Sequence, residues 1–283
     1  MRPMEDASRQ QIEFWNGPQG RRWVAHQESL DRVWRPIGEA AIVRAGVVRG
    51  ERVVDIGCGC GATSLELAAK VGPTGSVLGI DISAPMLARA RERAQRLEVA
   101  NLEFVQADAS TYAFDSWADV VFSRVGIMFF RDPVAAFANL RRALRPGGRV
   151  VFVCFRDRGL NSWWSVPLAA VATVVPPEPP TPPHEPGPFS LADENRLRAV
   201  LDGSGFVGAI CEPFDQDIVV GDDVNSAIEF ILNAGPVARV VAGANDETRE
   251  RVCAALRQPL AQHAGSDGVS LRAATWVVQA RNP

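Results

Sequence analysis

Three carboxylates and one glycine-rich loop are the residues of this chain whose types and spacing suit chemistry. Asp55 closes a short apolar run, and Gly57-Cys58-Gly59-Cys60-Gly61 follows directly. The glycines let the backbone turn tightly and let a ligand approach with no Cβ in its way. Asp81 ends the next apolar run, Ser76–Asp81, and Asp108 lies just past a third, Leu102–Val105. Gly57, Gly59 and Ala62 satisfy the dinucleotide fingerprint G-x-G-x-x-A, with Asp81 where a ribose-binding acid belongs. That pattern alone fits NAD and S-adenosylmethionine equally. Asp55 bears on the choice: a pyrophosphate beside it would meet a like charge. S-adenosylmethionine has no phosphate and carries an ammonium and a sulfonium, which an acidic loop favours.

Other reactive residue types are sparse. Cys58 and Cys60 form a C-x-C pair, but no second pair or nearby histidine completes a metal site. They read as small residues filling the loop, and no metal is expected. Of His26, His184 and His263, the best placed as a general base toward a hydroxyl acceptor is His26. Aromatic residues gather in three places: Phe14, Trp15, Trp23 and Trp34; the run Gly126–Phe130; and Trp163–Trp164. They serve either as packing onto the rest of the fold or as walls of a substrate pocket. As pocket walls the candidates are Trp15, Trp23, Met128, Phe129, Trp163 and Trp164. The proline-rich stretch Pro176–Pro188 reads as a covering loop rather than an extended interaction peptide.

The elements that must position these residues follow from apolar runs and their punctuation. Arg52–Ile56, Ser76–Asp81, Leu102–Val105, Asp119–Ser123 and Arg149–Phe155 are expected strands. The last is apolar on both faces, as a central parallel strand is. Helical spacing covers Thr63–Lys70, a stretch from Ser83 to about Leu97 with Ser83 as its cap, and Pro133–Leu144, closed by a turn at Arg145–Gly148. Strands alternating with helices give an α/β sheet, whose ligands lie beyond the carboxyl ends of the strands. Further on, Ser190 and Asp193 have the spacing of a helix cap, with a helix to Leu201 that stops at Gly203. Phe206–Val220 is expected to be extended. Helical patterns at Asn225–Asn233 and Asp246–His263 form an insertion, over 222–262, that reads as a cap on the substrate site or a dimer surface.

Composition narrows the function classes. The 283 residues are 47% hydrophobic and 22% charged, with a formal net charge of −3. Such a chain folds without disulfides or zinc. No stretch gathers five like charges, which argues against nucleic-acid binding through phosphates and against a polybasic membrane anchor. Lys70 is the single lysine among 30 basic residues. The apolar stretch Trp163–Val175 is shorter than the ~20 residues of a membrane span and is broken by Ser165 and Pro167, so no stable membrane insertion is expected. The first residues lack the apolar core of a secretory signal. Five cysteines without a disulfide framework fit a reducing compartment, and a cytoplasmic location is expected.

The ordered motifs resemble those of class I S-adenosylmethionine-dependent methyltransferases, in particular the small-molecule branch of the ubiquinone and menaquinone C-methyltransferases. They are Val54–Gly61 (VDIGCGCG), Gly79–Ser83 (GIDIS), Gln106–Ala109 (QADA), Asp119–Gly126 (DVVFSRVG) and Asn139–Arg149 (NLRRALRPGGR), together spanning about residues 50–155. The resemblance implies a Rossmann-like α/β fold: a seven-stranded, mostly parallel sheet with helices on both faces, its last strand antiparallel and containing Thr275–Ala280, plus a helical cap. It implies S-adenosylmethionine as cofactor. Asp81 would take the ribose, Ile82 would pack on the adenine and Asp108, followed by Ala109, would meet the adenine amino group. Backbone around Asp55, Gly57, Cys58 and Gly59 and around Ser123 and Arg124 would hold the methionine end. Three zones follow: 1–48 as an N-terminal helical cover, 49–160 as the cofactor-binding core, and 161–283 as lid, insertion and closing strands of the same domain. The expected reaction is methyl transfer to a small, partly apolar, aromatic or polyketide-like acceptor. A homodimer is left open. The competing readings are a nucleotide-dependent oxidoreductase on a similar sheet and a non-catalytic binding protein that keeps the fold.

Overall fold

The computed structural model describes residues 2–176, 182 and 184–283, with side chains described from Arg9 onward. Its centre is an eight-stranded sheet. The strands are β1 (Arg52–Ile56), β2 (Ser76–Asp81), β3 (Leu102–Gln106), β4 (Ala118–Arg124), β5 (Leu144–Phe155), β6 (Val207–Gly221), β7 (Ala264–Gly265) and β8 (Gly268–Arg281). Their order is β3-β2-β1-β4-β5-β8-β6, with β7 paired to β8. The first five in that order run parallel, and β8 is antiparallel to both β5 and β6. The seven expected strands are all present. The two-residue β7 is an addition, made where the chain doubles back at Gly265–Gly268.

Burial along β5 explains its central place. Val151, Phe152, Val153 and Cys154 are consecutive and all fully buried. Neighbouring strand residues point to opposite faces, so both faces of the sheet are covered by helices. Helix α4 (Ala62–Val71) follows β1, α5 (Ala84–Arg96) follows β2, and α6 (Pro133–Ala143) follows β4. Helices α1 (Arg2–Asn16), α2 (Pro18–Ala25) and α3 (Gln27–Ala45) precede the sheet. Leu30, Val33, Trp34, Ile37, Ala41 and Ala45 form the buried stripe of α3. Their three- and four-residue spacing puts them on one side of the helix, and each large side chain contributes roughly 1.5–3 kcal/mol by its burial. This stripe shares one hydrophobic core with the sheet and with residues of the last third, such as Leu256 and Leu271.

After β5 come α7 (Ser162–Val171) and α8 (Glu194–Gly203), then β6 and the insertion helices α9 (Val224–Asn233), α10 (Val237–Val240) and α11 (Asp246–Ala261). Among the described residues no helix is long and apolar enough to cross a membrane. The covering-loop reading of Pro176–Pro188 falls largely on residues 177–181 and 183, which lie outside the described residues.

Three local expectations are corrected. Arg145–Gly148 is no free turn: it is the irregular start of β5, where Leu144 pairs with Ala118 and the register then shifts. Asn282 secures it, its side chain donating to the Leu144 and Arg145 carbonyls. Ser190 does not cap α8. Its hydroxyl donates to the Met128 carbonyl at 2.6 Å, and Asp193 caps the helix by accepting from the Arg196 amide. The Ser83 hydroxyl does not cap α5 either, because it donates to the carbonyl of Trp15 at 2.7 Å. The α5 amide at Ala84 donates instead to Asn16 Oδ1 at 2.9 Å, a cap supplied from the end of α1.

Candidate active site

The strand order reverses between β1 and β4, and the crevice beyond their carboxyl ends is where such sheets bind ligands. Two backbones meet there. A Cβ on Gly57 would lie 2.9 Å from the Cα of Gly126, so the loops after β1 and β4 touch at a point where only glycine fits. Gly59 differs. Its φ is +54°, and an added Cβ would meet nothing nearer than Met86 Sδ at 3.9 Å. The space above it is open, and it lines a large cavity.

Asp55 lies beneath this loop, fully buried. Its Oδ2 accepts from the hydroxyls of Thr63 (2.7 Å) and Ser64 (2.6 Å), both in the first turn of α4, while its buried Oδ1 has no partner. Burial pushes its carboxyl up to about 6, against the pull of the two hydroxyls and the Arg124 guanidinium. Arg124 is itself held below the usual guanidinium range by burial, and Asp31 and Asp55 work against that shift. Asp81 fixes the loop's shape: Oδ2 accepts from the Gly59 amide and Oδ1 from the Ser83 amide, each at 2.8 Å. Both oxygens keep a second lone pair. Burial raises Asp81's carboxyl, and those backbone amides lower it. Asp108 uses Oδ1 toward the amide and hydroxyl of Ser110, and its Oδ2 has no hydrogen-bond partner among the described residues. Burial raises the Cys58 thiol and takes Cys60 to about 12, so both stay neutral. No group of three metal-ligating side chains occurs among the described residues.

The N-terminal helices form the roof. Asn16 bridges the loop after β2: Nδ2 donates to the Ile82 carbonyl at 2.9 Å while Oδ1 holds the Ala84 amide. Farther along, Asp31 of α3 pairs with Arg93 of α5 at 2.8 Å, and Arg93 also donates to the Cys60 carbonyl. Arg22 of α2 donates to the Ala238 carbonyl in α10, joining the roof to the insertion. No neighbourhood in the sequence announces these contacts, and the roles of Asn16, Asp31 and Arg93 were missed for that reason.

The cavity measures about 1090 Å³. That exceeds the ~300–1,000 Å³ of an ordinary small-molecule site and gives room for two ligands side by side. Gly57, Cys58, Gly59, Asp81, Ile82, Asp108, Ala109 and Arg124 line one part of it. Trp15, Trp23, Met128, Phe129, Trp163 and Trp164 also line it, so all six aromatic or apolar candidates come together. Trp15 packs edge-on against Trp23 and Phe129, each at 5.5 Å between centroids. A second chain of rings runs Trp34–Trp163–Trp164–Phe189, with spacings of 4.9, 5.5 and 5.2 Å. The rings thus pack on one another and also wall the cavity. Three candidates do not line it. Asp55 lies under the floor, and the Ser123 hydroxyl is turned to the Ile56 carbonyl at 2.7 Å. His26 is the joint between α2 and α3: its amide donates to Arg22 and its carbonyl accepts from Leu30. It is not among the residues that line the cavity, so the structure does not bring this candidate base to the site. Arg158, Arg239, His184 and Glu185 line the cavity and were not foreseen.

The acid-fixed glycine loop and the ends of β1 to β5 lie within residues 48–169, which match the family of methyltransferase domains. That segment is a methyltransferase domain. It occupies less than half of the chain. The relatives share it: the chain is 38% identical over 118 residues to aklanonic acid methyltransferase DauC of Streptomyces sp. (strain C5), covering 41% of this chain and 54% of that protein. It is also 38% identical over 128 residues to the ubiquinone/menaquinone biosynthesis C-methyltransferase UbiE of Pseudomonas savastanoi pv. phaseolicola, covering 44% and 49%. The chain thus spans about half the length of the curated relatives it matches. Among solved structures, phosphoethanolamine N-methyltransferase 2 of Haemonchus contortus, in complex with S-adenosyl-L-methionine, is 21% identical, with a TM-score of 0.54 over 88% of this chain and 52% of that one. At that identity the likeness concerns the fold, and it covers more of the chain than residues 48–169.

Proposed function

We propose that this protein transfers a methyl group from S-adenosylmethionine to a small, partly apolar acceptor of aromatic or polyketide type. The observation that carries the reading is a single cavity of about 1090 Å³ joining an acid-fixed glycine loop to an aromatic wall. The residues present suit the cofactor. The open side of Gly59, the free lone pairs of Asp81 and the unpartnered Oδ2 of Asp108 match a ribose and an adenine, with Ile82 and Ala109 beside the base. Backbone at Gly57–Gly59 and the guanidinium of Arg124 would take the amino-acid end. The orphaned Oδ1 of Asp55 below the loop favours a cationic ligand and disfavours a pyrophosphate, which argues against the oxidoreductase alternative. When bound, the cofactor supplies an electrophilic methyl group on a sulfonium.

The chain's own contribution is placement. Trp15, Trp23 and Phe129 would clamp a flat acceptor next to the loop, and Met128, Trp163 and Trp164 would wall the remaining space. Fixing two reactants in line can supply ~7–11 kcal/mol of a barrier, so a strong base is not required. With His26 outside the cavity wall, His26→Ala is expected to retain activity. The reading is tested with a panel of phenols, quinols, amines and fatty acids and a labelled methyl donor. Transfer to aromatic hydroxyl or carbon acceptors is expected. Transfer only to polyanionic acceptors would overturn it.

The roof gives a second expected outcome. Trp15 and Asn16 are fastened to the Ile82–Ala84 segment, so a ligand seated there tightens α1 and α2. Hydrogen exchange across Phe14–His26 should slow when S-adenosylhomocysteine is added. Equal exchange with and without it would separate the roof from the site.

A further inference from the structure

Arg158 stands out among the arginines of this chain. It opens a 3-10 turn, Arg158–Leu160, just beyond the carboxyl end of β5. Its guanidinium carbon lies 5.2 Å from the Phe189 ring centre and 5.8 Å from that of Trp164. Both rings belong to the cavity wall, and Arg158 itself lines the cavity. It has no ion-pair partner among the described residues. The neighbouring carboxylate, Asp157, is engaged instead with the Gly159 amide at 2.7 Å. Arg156, two residues earlier, shows the contrast: it stacks on Trp276 and makes a two-oxygen pair with Asp215, both at 2.8 Å.

The platform under Arg158 is firmly built. Asn161 donates to the Asp157 carbonyl, and its Oδ1 accepts from both the Trp163 indole and the Ala274 amide. Helix α7, which carries Trp164, is thereby fixed to the turn and to β8. Arg158 is exposed, its guanidinium lies over the Trp164 and Phe189 rings, and its N–H donors have no hydrogen-bond partner among the described residues. Arg131 and Arg239 line the same cavity, as do the acids Asp31, Asp81, Asp108 and Glu185.

We infer that the acceptor is an aromatic acid, whose ring system lies along the Trp163–Trp164–Phe189 wall and whose carboxylate is read by Arg158. The inference rests on the methyl-transfer reading and narrows its substrate class. A guanidinium presents two parallel donors that fit a carboxylate, and charge-assisted pairs of this kind are about twice as strong as neutral ones. One such group on an apolar wall suits a single negative charge better than a phosphate or a polyanion, which needs several donors. A neutral ring would leave the guanidinium to water and gain nothing from it.

The test uses 2-naphthoate and its uncharged isostere 2-naphthamide, titrated by calorimetry into the full chain with and without S-adenosylhomocysteine. Wild type should bind the carboxylate at least tenfold more tightly than the carboxamide. Arg158→Gln should remove that preference while leaving the carboxamide affinity, the melting temperature and S-adenosylhomocysteine binding unchanged. Equal affinity for the two probes, binding of neither, or a preference that survives Arg158→Gln would overturn the inference. A carboxylate preference without S-adenosylhomocysteine binding would keep Arg158 as an anion reader and overturn the methyl-transfer reading instead.

Discussion

Gly59→Val abolishes cofactor binding in a protein that still folds; this is the largest effect the site geometry predicts. The residue sits at φ +54°, where a β-branched side chain is strained. That strain costs about 1–3 kcal/mol, within the ~5–15 kcal/mol by which a domain is stable. A Cβ at this position meets nothing nearer than Met86 Sδ at 3.9 Å. The isopropyl group therefore occupies the ligand's space rather than the core's. Calorimetry with S-adenosylmethionine should detect no binding, while the far-ultraviolet spectrum remains that of the wild type. Gly57 is the contrasting position. A side chain there would strike the Gly126 backbone, so Gly57→Val should fail to fold. A folded Gly59→Val protein with normal affinity would mean that the loop faces some other ligand or none.

Asp81→Ala should weaken cofactor binding by at least tenfold. Each charge-assisted hydrogen bond contributes ~1.5–3 kcal/mol, and 1.4 kcal/mol is already about a factor of ten. On the proposed reading the substitution removes the acceptor offered to the ribose, and it also frees the Gly59 and Ser83 amides that Asp81 now holds. Both losses act in the same direction on affinity. The fold should survive, because Asn16 still caps α5 and the sheet pairing of β2 does not involve this side chain. Unchanged affinity in calorimetry would remove Asp81 from the site.

The central sheet was legible because its signals are local. Apolar runs such as Val150–Phe155 mark buried strands, and Gly57, Asp81 and Asp108 lie at or just past the ends of β1, β2 and β3. The cofactor half of the cavity follows from those endings, so the glycine loop, Asp81 and Asp108 are found where their strands stop. What was not legible depends on contacts between distant parts of the chain. Ser83 has the type and place of a cap, yet Asn16, 68 residues away in sequence from Ala84, supplies the side chain that caps α5. Ser190 likewise has capping spacing but bonds to Met128 across the cavity. His26 has suitable chemistry and an N-terminal position, but it is not among the residues that line the cavity. Arg158 carries no motif at all. Its meaning comes from two rings, Trp164 and Phe189, that only the folded chain brings beneath it.

On the proposed reading the loop after β1 receives an adenosyl sulfonium cofactor and not a pyrophosphate. Titrating S-adenosylhomocysteine and NAD separately into the full chain by calorimetry separates the two. One S-adenosylhomocysteine should bind per chain, with binding lost in Gly59→Val, and NAD should give no heat of binding. Saturable binding of NAD with none of S-adenosylhomocysteine would contradict it.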